Sequence, residues 1–455
     1  MQNSPCVVSD GLAKRAADAT TADASLEARL ERSASMTIAE QLADAEAAHS
    51  NSAASNPDPS NPAPSRNLGE VFRVFLRLGP TSFGGPIAHL GYFRAEFVEQ
   101  RRWLSEQSFA DLVALSQFLP GPASSQTGFG IGLIRGGVLG GLAAWTGFTL
   151  PSAILMVLFA YGAGSISHSA LGAGLLHGLK LVAVAIVAQA VMGMARTLCP
   201  DRLRASIATV ALVVMLVAPW SILQLGVIVV GGIAGWLLCK GSGDAAGDRP
   251  VMPVSRKVGA ACLIAFFALL AIAFIPVPPG AVGLFDAFYR SGALVFGGGH
   301  VVLPLLRDAV VSPGWVPDST FLAGYGAAQA VPGPLFTFSA FLGAVANVPS
   351  GGILGAIVAL VAIFLPGILC LLGTLPFWHA LRAHPGARSA MQGTNAAVVG
   401  LLAAALYNPV WVGAVQTPVD FAIAATAFVL LIAWQAPPLV VVLLAALAGM
   451  GPGAI

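Results

Sequence analysis

Charge is what this sequence has least of. Only 10% of its 455 residues are Asp, Glu, Lys or Arg, against roughly 25% in an ordinary soluble domain. Hydrophobic residues make up 56% and the mean hydropathy is +0.80, so a soluble fold would leave much apolar surface in water. The net charge of +2 says nothing about nucleic acid, because the basic residues are spread along the whole chain. The five cysteines (Cys6, Cys199, Cys239, Cys262, Cys370) form no CxxC pair; they read as free thiols, with neither a disulfide framework nor a zinc site. No apolar run occupies the first 30 residues, so no secretory signal is expected, and the acidic content there argues against a transit peptide. The apolar segments carry no paired carboxylates, no HExxH and no GxSxG, and the chain has no GxxxxGK[ST]. An intramembrane enzyme and a phosphate-cradling loop are thereby disfavoured, and no cofactor or metal is implied.

What is present in abundance is glycine (52) and proline (31), both commoner in membrane helices than in soluble ones. The fold expected is an all-α polytopic membrane protein. Residues 1–67 are Ala-, Ser- and Asp-rich and end in a Pro-punctuated stretch; disorder is the default there, with a short helix over 36–48 as an option and Met36 as an alternative start. From Leu68 to Leu78 the pattern is amphipathic, with Arg73 and Arg77 one turn apart. Apolar segments follow near 109–133, 138–160, 174–195, 205–219, 221–240, 258–276, 321–345, 353–375, 393–410, 418–434 and 437–452. Several reach the ~20 residues that a span needs, and ten to thirteen membrane segments are expected.

The chain repeats itself. Phe83-Gly84-Gly85-Pro86, Trp103, Phe109, Gln117 and Pro120-Gly121-Pro122 return as Phe296-Gly297-Gly298-Gly299, Trp315, Phe321, Gln329 and Pro332-Gly333-Pro334. The offset is 213 residues at the phenylalanine and 212 from the tryptophan to Pro-Gly-Pro. Further on, Phe148–Ser152 matches Ile363–Gly367, and His177-Gly178 matches Gln392-Gly393. These matches divide the chain into a tail (1–67), a first repeat (68–240), a linker with one membrane segment (241–280) and a second repeat (281–455). Lys and Arg cluster at 66–102, 196–204, 240–257 and 382–388, and none follows Arg388. All four clusters fall on one side if each Pro-Gly-Pro segment is re-entrant and 258–276 crosses once. The halves then form an inverted-topology repeat with a cytoplasmic N-terminus and an external C-terminus.

Pro-Gly-Pro in an apolar segment must break a helix, since neither proline donates a backbone N–H. Irregular backbone at membrane depth survives only where protein or a wet cavity covers it. The half-helix after each break (Ser124, Ser125 and Gln126 in one repeat, Thr337 in the other) presents free N–H groups, a positive dipole end and side-chain hydroxyls, a combination that suits an anion. Paired breaks at corresponding repeat positions point to a transporter's binding site; a structural kink is the plainer reading. Gly84, Gly85, Gly297 and Gly298 allow close backbone approach either to that site or to another helix. His89 and His300 could meet the anion, titrate, or bond across a helix interface. Gln117 and Gln329 complete the candidate lining. Arg94 and Arg307 are guanidinium candidates or interfacial residues. Arg135 and Lys180 sit in apolar sequence, where a central charge costs about 2.5–3.5 kcal/mol on insertion scales. Asp111, a proton carrier or a cap, has no repeat counterpart, Ala323 standing in its place.

The strings FGGPIAHLGYF (83–93), QFLPGPASSQ (117–126), AWTGFTLPS (144–152), FGGGHVVLPLL (296–306) and YGAAQAVPGPLFTF (325–338) resemble the chromate ion transporter family in its long two-domain form. The likeness covers about residues 70 to 450. It implies an inner-membrane secondary transporter that expels chromate, coupled to protons, in contact with the lipid bilayer and without nucleic acid. Sulfate, a tetrahedral dianion of similar size, is the alternative substrate. A membrane assembly protein without transport is the reading from another class. Homo-oligomerisation is left open by the sequence.

Overall fold

Proline, glycine and short polar side chains set where the helices start and stop. The computed structural model describes residues 67–83, 85–166, 169–218, 221–239, 254–296, 299–378 and 384–451. The N-terminal tail through residue 66, most of the 240–253 connection, and Gly84, Gly297 and Gly298 lie outside the described residues, as do the readings placed on them. Among the described residues the regular structure is helical, with no strand.

Among the described residues, helices of eight residues or more number seven in the first half, one in the connection and eight in the second half. The first half contains α1 (Leu68–Thr81), α2 (Gly85–Arg94), α3 (Glu106–Phe118), α4 (Ala123–Ile166), α5 (Ala170–Leu198), α6 (Arg202–Val217) and α7 (Ser221–Leu238), followed by the connecting α8 (Arg256–Ile272). The second contains α9 (Ala281–Ala293), α10 (Val302–Val310), α11 (Asp318–Ala330), α12 (Phe338–Val345), α13 (Gly352–Thr374), α14 (Pro385–Ala405), α15 (Pro418–Ile432) and α16 (Pro438–Ala448). Start signals are local. Asn67, Ser105, Ser169, Asp201 and Ser255 each accept a first-turn N–H at α1, α3, α5, α6 and α8, satisfying one of the donors a helix leaves orphaned. Thr417 and Asp420 form a reciprocal capping box at α15.

The long helix α4 is two elements. Gly136 (φ −140°, ψ 19°) and Gly137 (φ 65°, ψ −159°) leave helical geometry, and the chain folds back on itself. A Cβ on Gly132 would overlap the Gly140 carbonyl, and one on Gly140 would overlap the Gly132 carbonyl. The half-helix 123–135 therefore packs against the long helix 138–166 with backbone touching backbone. The second repeat builds the same seam between α12 and α13, where Gly343 and Gly355 stand in the same mutual contact. The continuous apolar stretch Ala123–Gly162 is thus a re-entrant half-helix followed by a membrane-length helix.

By length and composition, Leu171–Leu198, Gly352–Phe377 and Pro385–Ala414 also suffice to cross a membrane, and Leu223–Leu238, Leu335–Val345, Pro418–Ile432 and Pro438–Ala448 are shorter apolar helices. Helices α4, α6, α7 and α8 carry large exposed aliphatics, Leu158, Val217, Leu237 and Ile264 in turn. In water those would be costly; in a bilayer they meet lipid tails. The chain is a multi-pass membrane protein.

The halves interlock by exchange. Helix α5 of the first packs on α15 and α16 of the second, while α14 of the second packs on α6 and α7 of the first. Local bonds repeat as well: Trp103 N–H and Leu104 N–H both donate to the Phe97 carbonyl (2.7 and 3.3 Å), and Trp315 N–H and Val316 N–H both donate to that of Val310 (3.0 and 3.0 Å). An aromatic nucleus of Phe75, Phe93, Phe97 and Phe148 holds α1, α2 and α4 together, with Phe75 stacked on Phe97 at 4.8 Å.

The glycine seams give a stability prediction. Gly343→Val forces overlap with the Gly355 backbone and should destabilise the protein by about 1–3 kcal/mol, read as a lower thermal midpoint in detergent. Gly91→Ala, whose added Cβ meets nothing within 4 Å, should hold or raise the midpoint.

Candidate functional site

Each Pro-Gly-Pro break is held by a backbone bond to the other half, and this reciprocal pair of bonds forms a crossing between the repeats. Gly121 N–H donates to the Val295 carbonyl at 2.8 Å, and Gly333 N–H donates to the Ser82 carbonyl at 2.9 Å. Ser82 and Val295 both directly precede the Phe-Gly-Gly motif of their own repeat, so the exchange is reciprocal. Both glycines need a left-handed backbone (φ 114° and 100°), open to few other residues. A Cβ on Gly121 would stand 3.0 Å from Gly367 Cα, and one on Gly333 would stand 2.9 Å from Ser152 Oγ. Ser152 and Gly367 are also repeat counterparts.

Polar side chains gather on the first half of this crossing. His89, 1% exposed on α2, places Nε2 3.2 Å from the Ser82 carbonyl and Nδ1 3.4 Å from Ser124 Oγ. A carbonyl only accepts, so Nε2 carries the proton and, in the neutral ring, Nδ1 accepts from the Ser124 hydroxyl. Phe148 holds the ring edge to face at 5.3 Å. Gln126 Nε2 donates to the Pro120 and Gly367 carbonyls, both at 2.9 Å, tying the break to α13. Buried Ser82 Oγ, Ser125 Oγ, Gln126 Oε1, Thr149 Oγ1 and Ser339 Oγ have no hydrogen-bond partner among the described residues. Buried polar atoms are normally satisfied, so these five are exceptions to the usual pairing.

The second half is built differently. Its break leads into a 3-10 turn, Leu335–Thr337, before α12. Where the first repeat has Ser124 and Gln126, it has Phe336 and Phe338, which pack on Phe364 (5.8 Å) and on Phe321 (5.2 Å). Thr337 Oγ1 donates to the Pro334 carbonyl at 2.8 Å, closing the turn. His300 Nδ1 meets the Tyr325 hydroxyl at 2.7 Å.

The remaining candidates are spread more widely. Pro120, Pro122, Pro332 and Pro334 are buried at the crossing, Gln117 is exposed, and Gln329 is half-buried. Gly85, at φ 77°, opens α2. Arg94 and Arg307 occupy corresponding repeat positions and do the same thing: Arg94 Nε bonds Glu106 at 2.7 Å and Arg307 Nε bonds Asp318 at 2.8 Å. Each bond ties the motif-bearing segment to the start of the next helix. Arg135 ends the re-entrant half-helix with its guanidinium 5.1 Å above the Trp103 ring. Asp111 is buried within α3, whose cap is Ser105. Lys180 faces a separate cavity with His177. Among the described residues no three His, Cys, Asp or Glu side chains gather as a metal set.

Sequence reasoning missed Ser82, Val295, Thr149 and Ser152. The first two act through backbone carbonyls, which any residue carries, so their side chains gave no signal. Ser152 and Gly367 were traceable, as matched residues just after Leu-Pro in both halves.

The chromate transporter family profile matches residues 69–236 and 282–450, once per half. The chain belongs to the chromate transporter family. Relatives within or beside it include a chromate transport protein of Pseudomonas aeruginosa, 31% identical over 84% of this chain and 91% of its own length. A probable chromate transport protein of Synechococcus elongatus is 28% identical over 75% and 84%. A chromate transport protein of Cupriavidus metallidurans is 26% identical over 74% and 82%. No solved structure matches the chain.

The crossing yields a test. Gly333→Ala should lower the thermal midpoint through backbone strain of about 1–3 kcal/mol plus contact with Ser152 Oγ. Adding Ser152→Gly should recover the contact part and leave the strain.

Proposed function

We propose that this protein is a secondary transporter that moves chromate outward across the inner membrane, driven by the proton gradient and conferring chromate resistance. The observation that carries the reading is the crossing of two broken helices whose first-half side supplies His89, Ser124, Ser125 and Gln126. The half-helix starting at Ala123 brings its uncapped N–H groups and positive dipole end to this point, where a dianion gains most. The unpartnered hydroxyls of Ser82, Ser125 and Thr149 are donors for tetrahedral oxygens. The exchanged packing of the halves supports alternating access by rocking one unit against the other about the crossing. His89 is the titratable group beside the anion and our candidate for the proton step; Asp111 is the second candidate. The Lys and Arg clusters support an N-terminus in the cytoplasm and a C-terminus outside.

Two measurements check this. Proteoliposomes holding the wild-type chain should accumulate or release chromate along an imposed pH gradient, and a protonophore should abolish the movement. Replacing Pro120-Gly121-Pro122 with three alanines should abolish flux while membrane insertion persists; wild-type flux in that variant would reduce the break to a packing feature. Preference for sulfate over chromate in the same vesicles would reassign the substrate. For topology, a C-terminal reporter should be active only outside the cytoplasm.

A further inference from the structure

Away from the crossing, a cavity of about 440 Å³ opens between the halves, lined by Phe159, Leu176, His177, Lys180, Ser319 and Thr320 among others. Lys180 is half-buried there and makes no hydrogen bond or ion pair among the described residues. The carboxylates whose fields reach it, Asp420 and Asp318, are already engaged. Asp420 is held by His177 Nε2 at 2.7 Å and by the Gln416 and Thr417 amides at 3.0 and 2.9 Å. Asp318 is held by Arg307 at 2.8 Å. The ammonium thus faces the cavity without a direct counter-charge, an arrangement whose desolvation cost an anion would offset.

Repeat symmetry adds an independent observation. Helix α3 is capped by Ser105, whose side chain accepts from Ser108 N–H at 3.1 Å. The corresponding residue before α11 is Pro317, which gives no side-chain cap, and Pro317, Ser319 and Thr320 at the start of that helix line the cavity. Asn395 stands at the repeat position matching Lys180. Lys180 and Pro317 line the same cavity, and their repeat counterparts are Asn395 and Ser105.

We infer that this cavity is a second oxyanion-binding site, distinct from the crossing, in which Lys180 and the Ser319 and Thr320 hydroxyls hold a tetrahedral dianion at one mouth of the transport path. The inference rests on the oxyanion-transport reading above. A two-site path explains why one mouth carries a cation in otherwise apolar surroundings: the anion is collected or discharged there, one step removed from the broken helices.

Equilibrium dialysis of the full chain in detergent, with radiolabelled sulfate and with chromate, reads binding without requiring transport. Flux into proteoliposomes reads the consequence. The wild type should hold two oxyanions per chain. Lys180→Gln should hold one, with its half-saturating concentration for flux raised about tenfold. Lys180→Arg should keep two. Pro317→Ser, which gives α11 the cap that α3 already has, should weaken the second site about threefold without touching the lysine. One oxyanion per chain in the wild type, or two in Lys180→Gln with an unshifted half-saturation, overturns the site. Sulfate binding that depends on Lys180 in a wild type that moves neither anion keeps the site and overturns only the transport reading.

Discussion

An interrupted helix inside a membrane leaves backbone donors and acceptors that no solvent can satisfy. In this chain each interruption is satisfied by the other half. Gly121 donates to Val295 and Gly333 donates to Ser82, and the remaining architecture serves that exchange. The left-handed glycines let the break turn toward its partner. The prolines on either side remove donors that would otherwise need acceptors of their own. The seams of Gly132 with Gly140 and of Gly343 with Gly355 bring each half-helix back beside a long helix. Each break thus draws an acceptor from the opposite repeat, so the duplication has a structural use as well as being a pattern in the sequence.

Within that symmetric frame the chemistry is one-sided. Hydroxyl and amide groups follow the first break, and phenylalanines follow the second. The same scaffold position is polar at Ser124 and Gln126 and aromatic at Phe336 and Phe338. Symmetry supplies two equivalent backbone frames, and side-chain substitution then makes one polar and the other aromatic. Arg94 and Arg307 show the opposite outcome, since both halves keep the same brace to Glu106 or Asp318 and that duty is structural in each.

Much of the frame was legible because proline and glycine act locally. Pro120-Gly121-Pro122 announces a break whatever surrounds it, and its recurrence 212 residues later announces the repeat. The amphipathic start at Leu68 is equally local. What fills a break is not local: the acceptors for Gly121 and Gly333 are carbonyls in the opposite repeat, invisible to side-chain patterns. The pairing of His177 with Asp420 spans 243 positions and had no counterpart in the other half to reveal it. For Arg135 the sequence left a site and an interface between two segments equally open, and the reversal at Gly136 and Gly137 sets it at the end of the half-helix. The family profile matches the same two stretches that the internal comparison singled out.

The glycine seams have a mechanical consequence. Where backbones touch without intervening side chains, there is no compliant layer to absorb a shift. The half-helix cannot rotate or slide while its long neighbour stays still. Each hairpin therefore behaves as a bell-crank: a small displacement at its short arm, near the break, swings a rod that reaches across the membrane.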